Sequence, residues 1–321
     1  MLWDPHGEGE MLVQYFNHVP NARRMATGVS VSWGGPSTIG SVVDGIRRRG
    51  WKRVGVIGPV GWALADAIRE IAEIRSLDRG YLNLRLVKSG EEIAWMRRGA
   101  ELSDRAVVAL RDGLRPGIDE RQMGAIVEAA YLADGGTNHI HYFGVTSMED
   151  PDCCVPAQWP STRRVRAGDV VFTEISASWW GYAGQVLRTM FVSSPPTPLY
   201  SELHEVASAA YRAVLDRIRP GASCDDLIAA ADLIEDAGFS IYDDLIHGYG
   251  GGYLPPVLRT RHTSHTPPPD LRLASGMTLV VQPNVITPDE RAGVQTGGLV
   301  LVTDDGVEEL QQAPPGPWIV G

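Results

Sequence analysis

Between residues 11 and 87 short apolar runs alternate with stretches of helical period: "MLVQYF", "TIGSVVDGIRRRG", "RVGVIGP", "ALADAIREIAEI" and "LNLRLV". Strand-like runs separated by helices of this length predict a small α/β layer, with Gly50, Gly58 and Gly61 at its turns. The period then changes. Ile93, Met96, Ala100, Val107, Leu110 and Leu114 recur at steps that keep one helical face apolar, which predicts a long amphipathic helix. The change of period sets the expected boundary: residues 1–87 form a small domain and residues 88–321 a larger one.

The larger part repeats itself. "LRPGID" (114–119) leads into a helix that Asp119 and Gln122 would cap and Gly135 and Gly136 would stop. "IRPGAS" (218–223) leads into a second, with Ser223 and Asp226 in the capping places and Gly238 at its end. "GDVVFTE" (168–174) and "GMTLVVQ" (276–282) each run from a glycine to a polar residue. Two related α+β halves are expected, each giving one polar strand end, Glu174 and Gln282, to a shared cleft.

Composition narrows the partners. The 321 residues are 44% hydrophobic, enough for a full core, and carry 29 basic against 39 acidic residues, a net charge of -10. That balance argues against a phosphate backbone or an anionic membrane as the main partner and leaves small molecules or peptides. "MLWDPHGEGEMLVQYF" lacks the features of an export signal, and three cysteines, two of them adjacent (Cys153, Cys154), make a poor disulfide framework, so a cytoplasmic protein is expected. "RVGVIGPVGWALAD" contains no G-x-G-x-x-G and places Pro59 in its loop, against a dinucleotide site.

Several segments, in order and at matching spacing, resemble the pita-bread enzymes, a family that includes methionine aminopeptidase, prolidase, Xaa-Pro aminopeptidase and the metal-free creatinase. They are "LVKSGEEIAWMRRGAELSD", "LRPGIDE", "RAGDVVFTE", "GYAGQVLRT", "HGYGGG", "GMTLVVQPNVITP" and "GVQTGGLVLVTDDGVEEL". The resemblance implies an α+β pita-bread fold with a pseudo-two-fold repeat, preceded by a small α/β domain shorter than that of its relatives. Metal-dependent members hold two divalent ions with two aspartates, a histidine and two glutamates. Carried over by motif, these positions fall on Glu174, Gln185, His247, Gln282 and Gly297. One anionic position remains of four, and neutral amides are weak ligands for hard dications, so no metal cofactor is expected. The family's "HEP" histidine falls on Leu254, and the arginine often found before the last acidic ligand becomes Gln295.

Without metal-generated hydroxide, side chains must move the protons. Glu174 is the candidate acid or base, or else the partner of Arg188 on the next strand; His247 sits in the best-matched motif, among glycines that let backbone approach a ligand. His139 and His141 lie two apart, hence on one side of an extended segment, and resemble the region that supplies the proton-transferring histidine of creatinase. Gln185, Gln282, Gln295, Arg188 and Tyr249 are the expected substrate-binding residues. In dimeric relatives the small domain lies against the partner's cleft, so His18 and Arg23 are expected there in a homodimer. Cys153 and Cys154 have no obvious neighbouring base, and "RTRHTSHTPPPD" (259–270) reads as a surface or lid loop. The expected function is metal-independent, creatinase-like hydrolysis or elimination at a C–N bond of a small polar molecule. The alternatives are a divergent Xaa-Pro peptidase with a rebuilt metal site and a non-catalytic peptide- or protein-binding relative.

Overall fold

The computed structural model describes all of residues 1–321, which divide into two compact units, Met1–Asn83 and Leu84–Gly321. Residues 84–87, placed before the boundary by the sequence pattern, go with the second unit. Lys88 N donates to Gly276 O, and Val87 bridges Met277.

In the first unit β1 (Gly9–Val13) pairs in parallel with β2 (Val29–Trp33), linked by α1 (Val19–Met25). After α2 (Thr38–Arg49), capped by Ser37 and ended by Gly50 at φ 65°, β3 (Arg53–Val56) pairs in parallel with β4 (Glu73–Ser76) around α3 (Trp62–Arg69). Then α4 (Asp78–Leu84) closes the unit's run of elements. Three details depart from the sequence pattern. The polar stretch around Asn21 is helix, with Pro20 in its first turn, where no N–H is needed. The run "ALADAIREIAEI" is divided, because Ile71 and Ile74 leave the helix to pack with Val54 and Ile68. The last strand is therefore Glu73–Ser76, and most of "LNLRLV" falls in helix or loop.

The second unit begins with α5 (Gly90–Gly113), started by a reciprocal Ser89–Glu92 capping box, and α6 (Glu120–Ala129), started by the same device between Asp119 and Gln122. Both pack against β5 (Thr137–Ser147) and β6 (Asp169–Trp179) through Leu102, Val107, Leu110, Met123, Tyr131 and Phe143. The chain continues through β7 (Tyr182–Ala183), β8 (Val186–Val192) and α7 (Pro198–Leu215). The Ser223–Asp226 capping box starts α8 (Cys224–Ala229), and the expected second helix is split, its last turn being α9 (Leu233–Asp236) before Gly238. There follow β9 (Ser240–Ile241), β10 (Ile246–Tyr249), β11 (Tyr253–Leu258), β12 (Thr278–Val281), β13 (Val285–Ile286), β14 (Gly297–Val302), β15 (Val307–Glu309) and β16 (Trp318–Val320).

One sheet runs β11-β10-β12-β14-β8-β6-β5, antiparallel along this path, with β15, β16 and β7 attached to β14, β8 and β6. The two halves join where Gly297 and Gly298 of β14 meet Leu187 and Val186 of β8. Glu174, which lies in the middle of β6 and not at a strand end as expected, and Gln282, just past the end of β12, come together at that seam through Gln185. Close backbone packing fixes the turn before β8: a Cβ on Gly184 would lie 2.3 Å from Ala100 Cα, so glycine alone lets α5 seat there. Ser103 Oγ ties the same turn by donating to Gly184 O (2.7 Å) and accepting from Ala177 N (2.9 Å).

Candidate functional site

Alternation along a strand decides which side chains can meet. Glu174 of β6 stands opposite Leu187 of β8, and Thr173 stands opposite Arg188, so Glu174 and Arg188 lie on different faces of the sheet. The expected Glu174–Arg188 pairing does not form. Arg188 is 4% exposed and donates to four carbonyls, those of Leu187, Gly297, Ala313 and Pro314, at 2.7–2.8 Å. It holds the strand-seam segments in place and is not a substrate-binding residue of the Glu174 cleft.

On the other face Glu174, itself 4% exposed, accepts a hydrogen bond from Gln185 Nε2 at 2.7 Å. The same nitrogen donates to Gln282 Oε1 at 3.0 Å, and Gln282 Nε2 donates to Asp244 O (3.1 Å) and Asp243 Oδ2 (3.3 Å). A relay of amides thus links two carboxylates. Burial first, and then the negative charge of Asp243, push Glu174 up to about 8 from an ordinary 4.5. Asp243 is also raised, by burial. The sequence reading missed Asp243. Its only sequence signal was position, four residues before His247 in "DDLIHGYG".

His247 is wholly buried on β10, with Nδ1 at 3.2 Å from Gly248 O. A carbonyl can only accept, so Nδ1 carries the proton and Nε2 presents a lone pair, which finds no hydrogen-bond partner. Burial lowers the group to about 4, so it is neutral at physiological pH. Its ring stacks on Tyr253 at 3.8 Å and meets Tyr249 edge-on at 5.4 Å. The Tyr249 hydroxyl, Ser176 Oγ, Gln185 Oε1 and Gln295 Oε1 are likewise buried without partners. Tyr253, 45% exposed and following three glycines with positive φ, is the outermost ring of this stack.

The other expected residues divide. A register shift between Asn138 and Ile140 makes His139 an extra residue in β5, and this breaks the alternation that would have put His139 and His141 on one side. His139 approaches Tyr249, with ring centroids 6.0 Å apart. His141 pairs with Ile175 on the opposite face, its Nε2 2.7 Å from Tyr131 Oη and its Nδ1 against Ile140 O, and burial holds it near 4. With both nitrogens engaged in the core it is no proton shuttle of this cleft. Gln295 is buried beside Thr189, which bonds both its N and its O at 2.9 Å. His18 and Arg23 are exposed in the first unit, where Arg23 Nε donates to Val31 O. Burial raises the thiols of Cys153 and Cys154, and this keeps them out of the thiolate form.

The donor set can be tested for the metal pair that the resemblance implies. Of the five positions only Glu174 carries a carboxyl group, and the space between its oxygen and that of Gln282 is taken by the NH2 of Gln185, the positive end of an amide dipole. Gly297 sits at φ 132°, and a Cβ there would lie 2.0 Å from Val281 O, so no side-chain ligand can stand at that position. No group of three or more His, Cys, Asp or Glu side chains is arranged to hold a metal. These residues do not fit a two-metal centre.

Residues 94–304 match metallopeptidase family M24. The Xaa-Pro dipeptidase of Pyrococcus furiosus is 24% identical over 261 residues, covering 80% of this chain and 73% of that protein. Among solved structures, the prolidase from Thermococcus sibiricus superposes with a TM-score of 0.83 at 20% identity, covering 98% of this chain and 85% of its own. The X-Pro aminopeptidase from Thermotoga maritima does so with a TM-score of 0.80 at 19% identity, covering 97% and 87%. These likenesses show the pita-bread fold, with the small domain preceding the larger one.

Proposed function

Because this chain belongs to metallopeptidase family M24, we propose that it is a hydrolase cleaving a C–N bond in a small peptide-like or N-substituted amino-acid substrate, with side-chain acid–base chemistry in place of a two-metal centre. The observation that carries this reading is the Gln185 amide nitrogen shared between Glu174 and Gln282. Glu174, protonated below about pH 8, is the acid that delivers a proton to the leaving nitrogen. His247 Nε2, an unoccupied acceptor, takes the hydrogen bond of the attacking water, and Gln185, Gln282 and Tyr249 orient the substrate. His139 stands beside Tyr249 as a second proton carrier. The proposed setting is a cytoplasmic homodimer acting on small molecules, without nucleic acid or membrane as partner, in which His18 and Arg23 face the other subunit's cleft. No helix is long and apolar enough to cross a membrane.

The experiment is turnover of Xaa-Pro dipeptides and N-substituted amino acids with and without chelator. Cleavage that persists under chelator supports this reading. A second reading is an Xaa-Pro dipeptidase with a rebuilt metal site; relatives bearing that name favour it, as does the extra carboxylate of Asp243. Stoichiometric manganese, zinc or cobalt by elemental analysis, with activity lost to chelator, would establish it instead. Ligand binding without turnover of any substrate would mark a non-catalytic member.

A further inference from the structure

The turn between β10 and β11 has no side chains with which to hold its own shape. Gly250, Gly251 and Gly252 follow one another at φ 141°, 59° and 109°, and across the turn Gly250 N donates to Gly252 O at 3.1 Å. Its base is packed tight, since a Cβ on Gly248 would lie 2.3 Å from Pro255 O, but a Cβ on Gly252 would meet nothing within 4 Å. Pro255 and Pro256 on β11 have no N–H to give the ladder. The tip is tied from a distant segment instead. Arg85, between α4 and α5, donates through Nη2 to Gly250 O (2.6 Å) and Gly251 O (2.9 Å). The glycines make room for this: a Cβ on Gly251 would lie 3.0 Å from Arg85 Nη2, and one on Gly250 would lie 2.6 Å from Lys88 Cε. The residue after the glycines is Tyr253. Its ring lies on His247 with 3.8 Å between centroids and 15° between planes, and its hydroxyl is raised by burial and then by the charges of Asp243 and Glu174, so it faces both acids. His247 is wholly buried while Tyr253 is half-exposed, which puts the tyrosine on the solvent side of the imidazole.

We propose that Tyr253 is the cover of His247 and that Arg85 is the positioning residue that sets it, by fixing two carbonyls of a turn that glycine leaves free to move. Flat ring contact is sensitive to distance: a gap of about 1 Å forfeits up to half of the dispersion attraction, so the ring stays in place only where the turn that carries it is held. A guanidinium suits the task, because it stays charged at any working pH and its hydrogen bonds to carbonyls are charge-assisted. The inference deepens the proposed hydrolase and rests on that reading for one point, that His247 Nε2 holds the attacking water. The ring over that imidazole then governs how water reaches it.

The test reads how readily a small reagent reaches His247 in the full chain. It needs no substrate, so it fails separately from the hydrolase reading, which falls on absence of turnover. Diethyl pyrocarbonate transfers an ethoxycarbonyl group to a neutral imidazole nitrogen, with loss of the imidazole proton and release of ethanol and carbon dioxide. Peptide mass mapping then gives a rate for each histidine. Tyr253→Ala and Arg85→Met should each speed labelling of His247 by about tenfold or more, while the exposed His262 and His265 keep their rates. The double variant should be no faster than Tyr253→Ala alone, because Arg85 acts through the ring. Should Arg85→Met fail to fold, Arg85→Gln, a milder change with a shorter donor, carries the test. An unchanged rate in Tyr253→Ala would show that the ring is no cover. An unchanged rate in the Arg85 variant, or effects that multiply in the double variant, would show that Arg85 does not set it. Each of these results overturns the proposal.

Discussion

The two faces of the β6–β8 ladder treat buried charge in opposite ways. Behind it, Arg188 is enclosed by four carbonyls, and His141 has both nitrogens engaged. In front, Glu174 has one amide donor and stands near a second acid, while His247, Gln185, Tyr249 and Ser176 keep polar atoms without partners. One face is satisfied and serves the fold. The other holds groups whose hydrogen-bonding capacity is unused, and burial there has moved Glu174 towards the pH at which an acid can also act as a base.

Substitutions on each face should separate these roles. The largest effect is expected from Glu174→Gln, an isosteric change that keeps the amide relay but removes the titrating proton: turnover should fall about 10²–10⁴-fold while the folded fraction is unchanged. Equal loss of folding and activity would remove the distinction between the faces. Next is Arg188→Met, which leaves four carbonyls facing an apolar side chain. Chemical denaturation should show a loss on the order of 3–5 kcal/mol.

The pH profile of stability should sharpen the contrast further, because the two faces contribute slopes of opposite sign. His141 is held near 4 against an ordinary 6.5, so the unfolded chain binds more protons between these values, and stability falls as pH drops through them, by up to about 3 kcal/mol. Glu174, raised to about 8 from 4.5, binds its proton more tightly in the folded chain. Stability therefore falls as pH rises from about 4.5 to 8, and Glu174→Gln should flatten that alkaline slope. An unchanged slope in that variant would place the titration elsewhere. The smallest effect should come from Tyr131→Phe, which removes only the hydroxyl against His141 Nε2 and should cost about 1 kcal/mol without altering turnover.

Some of this is legible in the sequence alone. The capping pairs at Asp119 and Ser223 began the helices they announced, because a cap satisfies backbone donors locally and needs no distant partner. The glycine-to-polar spacing of "GDVVFTE" and "GMTLVVQ" placed Glu174 and Gln282 at one seam. Arg188 and His141 were misplaced for one reason: their face depends on register. A single extra residue in β5 reversed the side of His141 relative to His139, and the pairing of Thr173 with Arg188 sent the guanidinium away from Glu174. Asp243 escaped notice because it reaches the cleft through Gln282, which lies 39 residues further along the chain.

The sequence by itself determined the donor types: a lone carboxylate, a histidine and two amides where an anionic cage would be needed, a matter of residue identity alone. Only the tertiary structure decided which of these groups meet, that Asp243 joins them, and which polar atoms remain unpartnered. Strand pairing between distant segments sets those outcomes, and a one-residue slip in register moves a side chain through the sheet to the other face.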